Sequence, residues 1–339
     1  MMTMRRGWAV VSVLVLALVV AVGSADAADW KPTKPVRIIV PWGAGGSTDQ
    51  AIRSIAGDLE AALGQPVVVV NQPGGGGAIG TKSVIDAPCD GYTWASGAVK
   101  DLGTYVITGT LDTKVQDWHL YLNSANATLV SVNPSADIKD FAAFLDMMKK
   151  DPKKLSVAIA GVPSAGHSAI EAIKQANGGD YKLVSYDGGN PAVIATVGGE
   201  TMATPQLLSE QIEMIRAKKL RPLAALAPED LNIEGYGVVP TARKWLPKVA
   251  ADPVYFGIWA PKCAPKDVID TMNKVWKEKI ATSKALKDFA AQRGQIVAPY
   301  YGEDAFKRSW PTIVNAAWGL SDSGKAKVSP DKVGMPRPQ

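Results

Sequence analysis

Along the first third of the chain, short β-branched runs alternate with stretches whose apolar positions recur every three or four residues. Residues 36–40 read Val-Arg-Ile-Ile-Val and stop at Pro41, which predicts a strand. A loop of Gly43-Ala44-Gly45-Gly46-Ser47-Thr48-Asp49 follows. Ile52, Ile55, Ala56, Leu59 and Leu63 then fall on one helical stripe. Ser47 or Thr48 can cap that helix, Asp49 suits its positive end, and Gly64 can close it. Four valines at 67–70 predict a strand buried on both faces. A glycine-rich turn at 71–80, a helix at 82–87 and a strand at 92–96 complete the block.

The same rhythm returns further on. Residues 128–132 predict a strand, and 138–150 a helix carrying Phe141, Phe144, Leu145 and Met148. Residues 155–160 predict another strand, then a Gly-Val-Pro-Ser-Ala-Gly turn at 161–166 and a helix from His167. Strand–loop–helix alternation argues for α/β sheets, mostly parallel, with ligands bound outside the carboxyl ends of the strands. Two such blocks predict two lobes with a cleft between them.

The N-terminus adds a location. Arg5 and Arg6 precede an uncharged run from Trp8 to Gly23, and Ala25 and Ala27 fit an A-x-A cleavage site. That layout predicts a signal peptide over 1–27 and export to the periplasm. The 339 residues carry 37 Lys+Arg against 32 Asp+Glu, with no dense basic stripe, so nucleic-acid binding is not expected. Two histidines (His119, His167) and two cysteines leave little for a metal site, and no metal or cofactor is expected. Cys89 and Cys263 are 174 positions apart; export permits a disulfide between them, and the preferred reading is two separate buried thiols. Of the tryptophans, Trp118, Trp245, Trp259, Trp276 and Trp310 are assigned to core or hinge packing, and residues 324–339 to a loose tail.

Each glycine-rich turn departs from the nucleotide or catalytic motif nearest to it. Thr48 stands where a dinucleotide fingerprint wants its third glycine, and Thr81-Lys82 reverses the order of a P-loop. The turn around Ser164 lacks the first glycine of a nucleophile elbow, and His167 shares Ser164's own turn. Loops of Gly, Ser and Thr at helix starts instead bring N–H groups and a partial positive charge to an anion. One such loop reads as a tight turn; three at the carboxyl ends of strands read as a carboxylate site.

Residues 34–49 (Lys-Pro-Val-Arg-Ile-Ile-Val-Pro-Trp-Gly-Ala-Gly-Gly-Ser-Thr-Asp) resemble the opening of the tripartite tricarboxylate transporter solute receptors, the Bug family of periplasmic binding proteins. The likeness continues at 63–80, 90–93, 162–167, 186–191, 215–224, 257–261 and 265–269. It implies a two-lobed receptor that closes on a small organic acid and delivers it to a two-component membrane permease. The first lobe would take 34–126 and 256–339 and the second 127–255, with Thr128 and Phe256 near the crossings. The chain is expected to be a monomer.

The ligand carboxylate falls, by the same resemblance, to Trp42, Ala44, Gly45, Gly46, Ser47 and Asp49, with Gly76, Gly77 and Ala78. The turn at Ser96-Gly97 completes that lobe, and Ser164, Ala165 and Gly166 face it from the other. His167 is read as packing and capping. Gln206 aligns with a family aspartate, and a neutral amide there leads to the expectation of a carboxylate ligand without an essential ammonium group. Two other classes stay open: a sensory module for a kinase, and a periplasmic hydrolase using Ser164 or Asp49 without a credible base.

Overall fold

The computed structural model describes residues 30–338, so the segment read as a signal peptide lies outside the described residues. The chain begins with β1 (Val36–Val40), α1 (Ser47–Leu63), β2 (Val67–Asn71), α2 (Ala78–Ile85), β3 (Thr93–Ala98), α3 (Asp101–Thr108) and β4 (Trp118–Asn126). Next come β5 (Thr128–Val132), α4 (Phe141–Lys150), β6 (Ser156–Ile159), α5 (Ala165–Asn177), β7 (Lys182–Ser185), α6 (Gly189–Val197), β8 (Ala203–Thr204), α7 (Leu208–Arg216) and β9 (Arg221–Leu226). A hairpin of β10 (Leu231–Ile233) and β11 (Gly237–Val239) leads to β12 (Val254–Pro261), α8 (Lys266–Glu278), α9 (Lys284–Arg293), β13 (Ile296–Val297) and α10 (Gly302–Asp322).

These strands build two sheets, ordered β13-β4-β12-β3-β1-β2 and β7-β6-β8-β5-β9. Parallel pairing holds where strand and helix alternate, in β1–β3 and in β6–β8. It gives way to antiparallel pairing where the chain leaves and returns, through β4, β5, β9 and β12. Both sheets are therefore mixed rather than mostly parallel. The chain passes between them at Ala127 and again between β9 and β12.

Period-two alternation sorts β1 onto two cores. Val36, Ile38 and Val40 meet the α1 stripe of Ile52, Ile55, Leu59 and Leu63, together with α8 and α9. Ile39 faces the other way, toward α2, α3 and α10. The second sheet is covered likewise, by α4 and α5 on one face and α6 and α7 on the other. Fully burying one such aliphatic side chain contributes about 1.5–3 kcal/mol.

Four further expectations are corrected here. Strand β2 is an edge strand, with Val68 43% exposed, because nothing pairs beyond it. Gly46, not Ser47 or Thr48, is the N-cap of α1, although Gly64 does close it in the left-handed conformation. Cys89 and Cys263 form a disulfide, their Cα atoms 5.9 Å apart, joining the approach to β3 to the turn after β12. Finally, the segment after α10 is docked: Lys327 N donates to Ile107 O, Met335 is fully buried, and Arg337 pairs with Asp322.

Candidate functional site

Between the two sheets lies a cavity of about 50 Å³, room for roughly three to five waters. Three helix starts with a glycine or serine N-cap converge on it. Gly46, Ser47 and Thr48 bring the first turn of α1, Ser164 and Ala165 that of α5, and Gly188 and Gly189 that of α6. Phe256 of β12, where the pairing register shifts, lines it beside Ala98 and Leu207.

The two sides are in contact across this space. Ser47 Oγ and Ser209 Oγ are 2.6 Å apart, and Asn190 Nδ2 donates to Gly45 O at 2.6 Å. Gly45 adopts a φ of 75°, which turns its carbonyl out to Asn190. Asn126, at the end of β4, donates to Ser209 Oγ at 2.6 Å and fixes that hydroxyl.

Two carboxyl groups line the cavity. Asp101, at the start of α3, lies 3.1 Å from Lys100 Nζ and accepts from Trp42 Nε1 at 3.2 Å. Burial pushes its carboxyl above the ordinary range, against the pull of Lys100. Glu210 reaches in from α7, and its Oε1 accepts from Ser47 N at 3.1 Å. Burial raises this carboxyl as well, against the Ser47 N–H. A Cβ on Gly189 would stand 2.1 Å from Oε2, so the carboxylate rests directly on the first residue of α6. The Gln206 amide, oriented to satisfy both ends, donates to Glu210 Oε2 at 3.3 Å and accepts from Ala160 N at 2.8 Å. That amide is committed, and the ground for excluding a ligand ammonium goes with it.

Of the residues expected at the site, Trp42, Gly46, Ser47, Ser164, Ala165 and Gln206 line the cavity. Gly45 shapes the loop from behind, while Ala44 points to solvent. Asp49 does not line it: its carboxylate accepts from Gly45 N, Arg53 Nε and Asn71 Nδ2. Asp49 braces the loop instead. Gly76, Gly77 and Ala78 also stay outside the lining, because this loop is a spacer. A Cβ on Gly76 would meet Val162 O at 2.7 Å, and one on Gly77 the Tyr105 hydroxyl at 2.6 Å. Ser96 and Gly97 lie within β3, paired with β12, and Gly97 makes room for the Trp259 ring. Gly166 packs against Gln206. His167 is buried beside Lys325 and Glu171, and its backbone N–H donates to Ser164 Oγ, the N-cap of α5. Thr48, Asp101 and Glu210 were missed; Glu210 occupies an ordinary polar slot of an amphipathic helix.

A larger cavity of about 360 Å³ opens between α5 and α10. Of the residues expected to bind, only Ala165 borders it.

Residues 51–305 match the model of the tripartite tricarboxylate transporter family receptor. The chain belongs to this family. Among its relatives is protein BugT of Bordetella pertussis, 30% identical over 86% of this chain and 89% of that protein. A solved periplasmic transporter is 30% identical, with a TM-score of 0.76 over 87% of the receptor and 97% of its own chain. MatC of Rhodopseudomonas palustris, solved with bound malate, is 23% identical and shares the fold at a TM-score of 0.74 over 86% and 98%.

Proposed function

We propose that this receptor is a periplasmic solute-binding protein that closes two lobes on a small organic carboxylate and presents it to a two-component membrane permease. The reading rests chiefly on the convergence of three helix starts on one cavity between two sheets. Each start leaves N–H groups without intrahelical partners, together with a partial positive charge, which suits an anion. Family membership and the malate bound to MatC support the ligand class and the permease. The lobes are 34–126 with 256–339, and 127–255, hinged near Thr128 and Phe256. Opening and reclosing there would signal occupancy to the permease.

Binding rather than turnover is the role we assign to Ser164. Its hydroxyl accepts from His167 N, and the His167 ring faces Lys325 instead of Ser164. The basic start, uncharged run and A-x-A pattern of residues 1–27 support export of the chain behind a cleaved leader.

Thermal melting of residues 28–339 against mono-, di- and tricarboxylates tests this. A ligand at 100 times its Kd adds about 2.7 kcal/mol, a shift of a few degrees at this chain length. A shift with one or two acids is expected. No shift across the panel, in folded protein stripped of ligand, overturns the carboxylate reading.

A further inference from the structure

The cavity that three helix starts make attractive to an anion already contains one. Glu210 puts its carboxylate on the Ser47 N–H of α1 and against Gly189 at the start of α6. Its other partner there, the Gln206 amide, is neutral like the first. Asp101 stands on the opposite wall, and none of the described residues lining the cavity is Lys, Arg or His. Lys100 lines the other cavity, and its charge is paired with Asp101, 3.1 Å away.

We propose that Glu210 sets the ligand class of this receptor: it occupies one anion position of the cleft itself. The site then takes a monocarboxylate whose far end is neutral or cationic and rejects di- and tricarboxylates. The inference rests on the carboxylate reading above and narrows it. The ligand's single carboxylate is left the first turn of α5, where the N–H groups of Ala165 and Gly166 have no intrahelical partner. Its far end meets Glu210. A methyl, hydroxyl or ammonium is accepted there, and the last two donate to the free lone pairs of the carboxylate. A second carboxylate meets a like charge in a site with little water to screen it. Malate, the dicarboxylate bound by MatC, is by this argument a poor ligand here.

Calorimetric titration of wild-type receptor and Glu210→Gln with matched acids decides the matter. One set is propanoate, 3-hydroxypropanoate, 3-aminopropanoate and succinate; a larger set is benzoate, 4-hydroxybenzoate, 4-(aminomethyl)benzoate and terephthalate. In wild type, a neutral- or cation-ended member should bind at least tenfold tighter than the dicarboxylate of its set. In Glu210→Gln that ratio should fall below about threefold. Glu210→Ala serves if circular dichroism shows the glutamine variant misfolded. A wild type that prefers the dicarboxylate, or a ratio unchanged by the substitution, overturns the role of Glu210 while leaving carboxylate binding intact. If no acid binds either protein, the carboxylate reading fails and this inference fails with it.

Discussion

Helices α1 and α5 start on opposite sides of one cavity, after similar glycine-rich turns, and satisfy their first turns in different ways. At α5 the solution is local: Ser164 caps the helix by accepting from His167 N at 3.1 Å. At α1 the N-cap is Gly46, which has no side chain to offer. Its partners come from across the cavity: Glu210 for the Ser47 N–H, Ser209 for the Ser47 hydroxyl, Asn190 for the Gly45 carbonyl. A self-capped start is a matter of stability. A start capped from the facing side couples its own satisfaction to closure, so damage there should appear in ligand affinity.

The largest effect expected sits on the self-sufficient side. His167 is held neutral by burial first and by the Lys325 cation second, with Lys100 acting the same way and Glu171 opposing, so its pKa is lowered to about 4. The unfolded imidazole takes a proton near pH 6.5, and the folded one resists until about pH 4. Stability should therefore be full above about pH 6.5 and fall as the pH drops to about 4, by about 3 kcal/mol in all. Urea unfolding of wild type and His167→Gln across this range isolates the contribution, since groups remote from this site are the same in both proteins. A pH-independent difference between the two proteins would mean that the histidine is not buried neutral.

The second test separates the two starts directly. Ser209→Ala removes the acceptor of the buried Asn126 amide as well as the partner of Ser47, at a cost of about 1–3 kcal/mol for the orphaned donor. In the ligand-free protein Ser164→Ala loses a helix cap, about 1 kcal/mol. Ser164→Ala should therefore shift chemical denaturation, whereas Ser209→Ala, whose lost contacts join the two sides, should show chiefly as a larger loss of ligand affinity. A Ser209→Ala loss confined to unfolding would place that hydroxyl in the scaffold instead.

Much of this was legible in residue order, and the reasons are physical. A β-branched run stopped by proline and an aliphatic stripe closed by Gly64 are local signals, and β1 and α1 follow them almost to the residue. Helix starts at glycine-rich turns are local too, which is why Ser47, Ser164 and Ala165 were found. Glu210 was not, because Leu208, Ile212 and Ile215 make α7 an ordinary amphipathic helix, and only docking aims its polar slot at Ser47. The same holds for the bond between Cys89 and Cys263 and for Met335, buried against the α10 side of the first sheet. The glycines of residues 74–77 misled for the opposite reason. A glycine that exposes N–H groups and one that makes room for Val162 read alike in sequence.

Asn190→Ala should have the smallest effect, and it bears most directly on closure. Its Nδ2 donates to Gly45 O, which also accepts from Gln50 Nε2 at 2.5 Å. Deleting the amide therefore leaves no buried acceptor unpaired, and the loss is one net hydrogen bond, about 1 kcal/mol. Asn190 belongs to α6 and Gly45 to the loop before α1, so the bond exists only while the two sides are together. Opening breaks it whether or not the chain is folded. The loss should thus leave ligand-free unfolding within about 0.5 kcal/mol of wild type, while ligand affinity drops about three- to tenfold. Parallel urea melts and calorimetric titrations read the two quantities. An unfolding change as large as the affinity change would place Asn190 in the scaffold and remove it from the closing contacts.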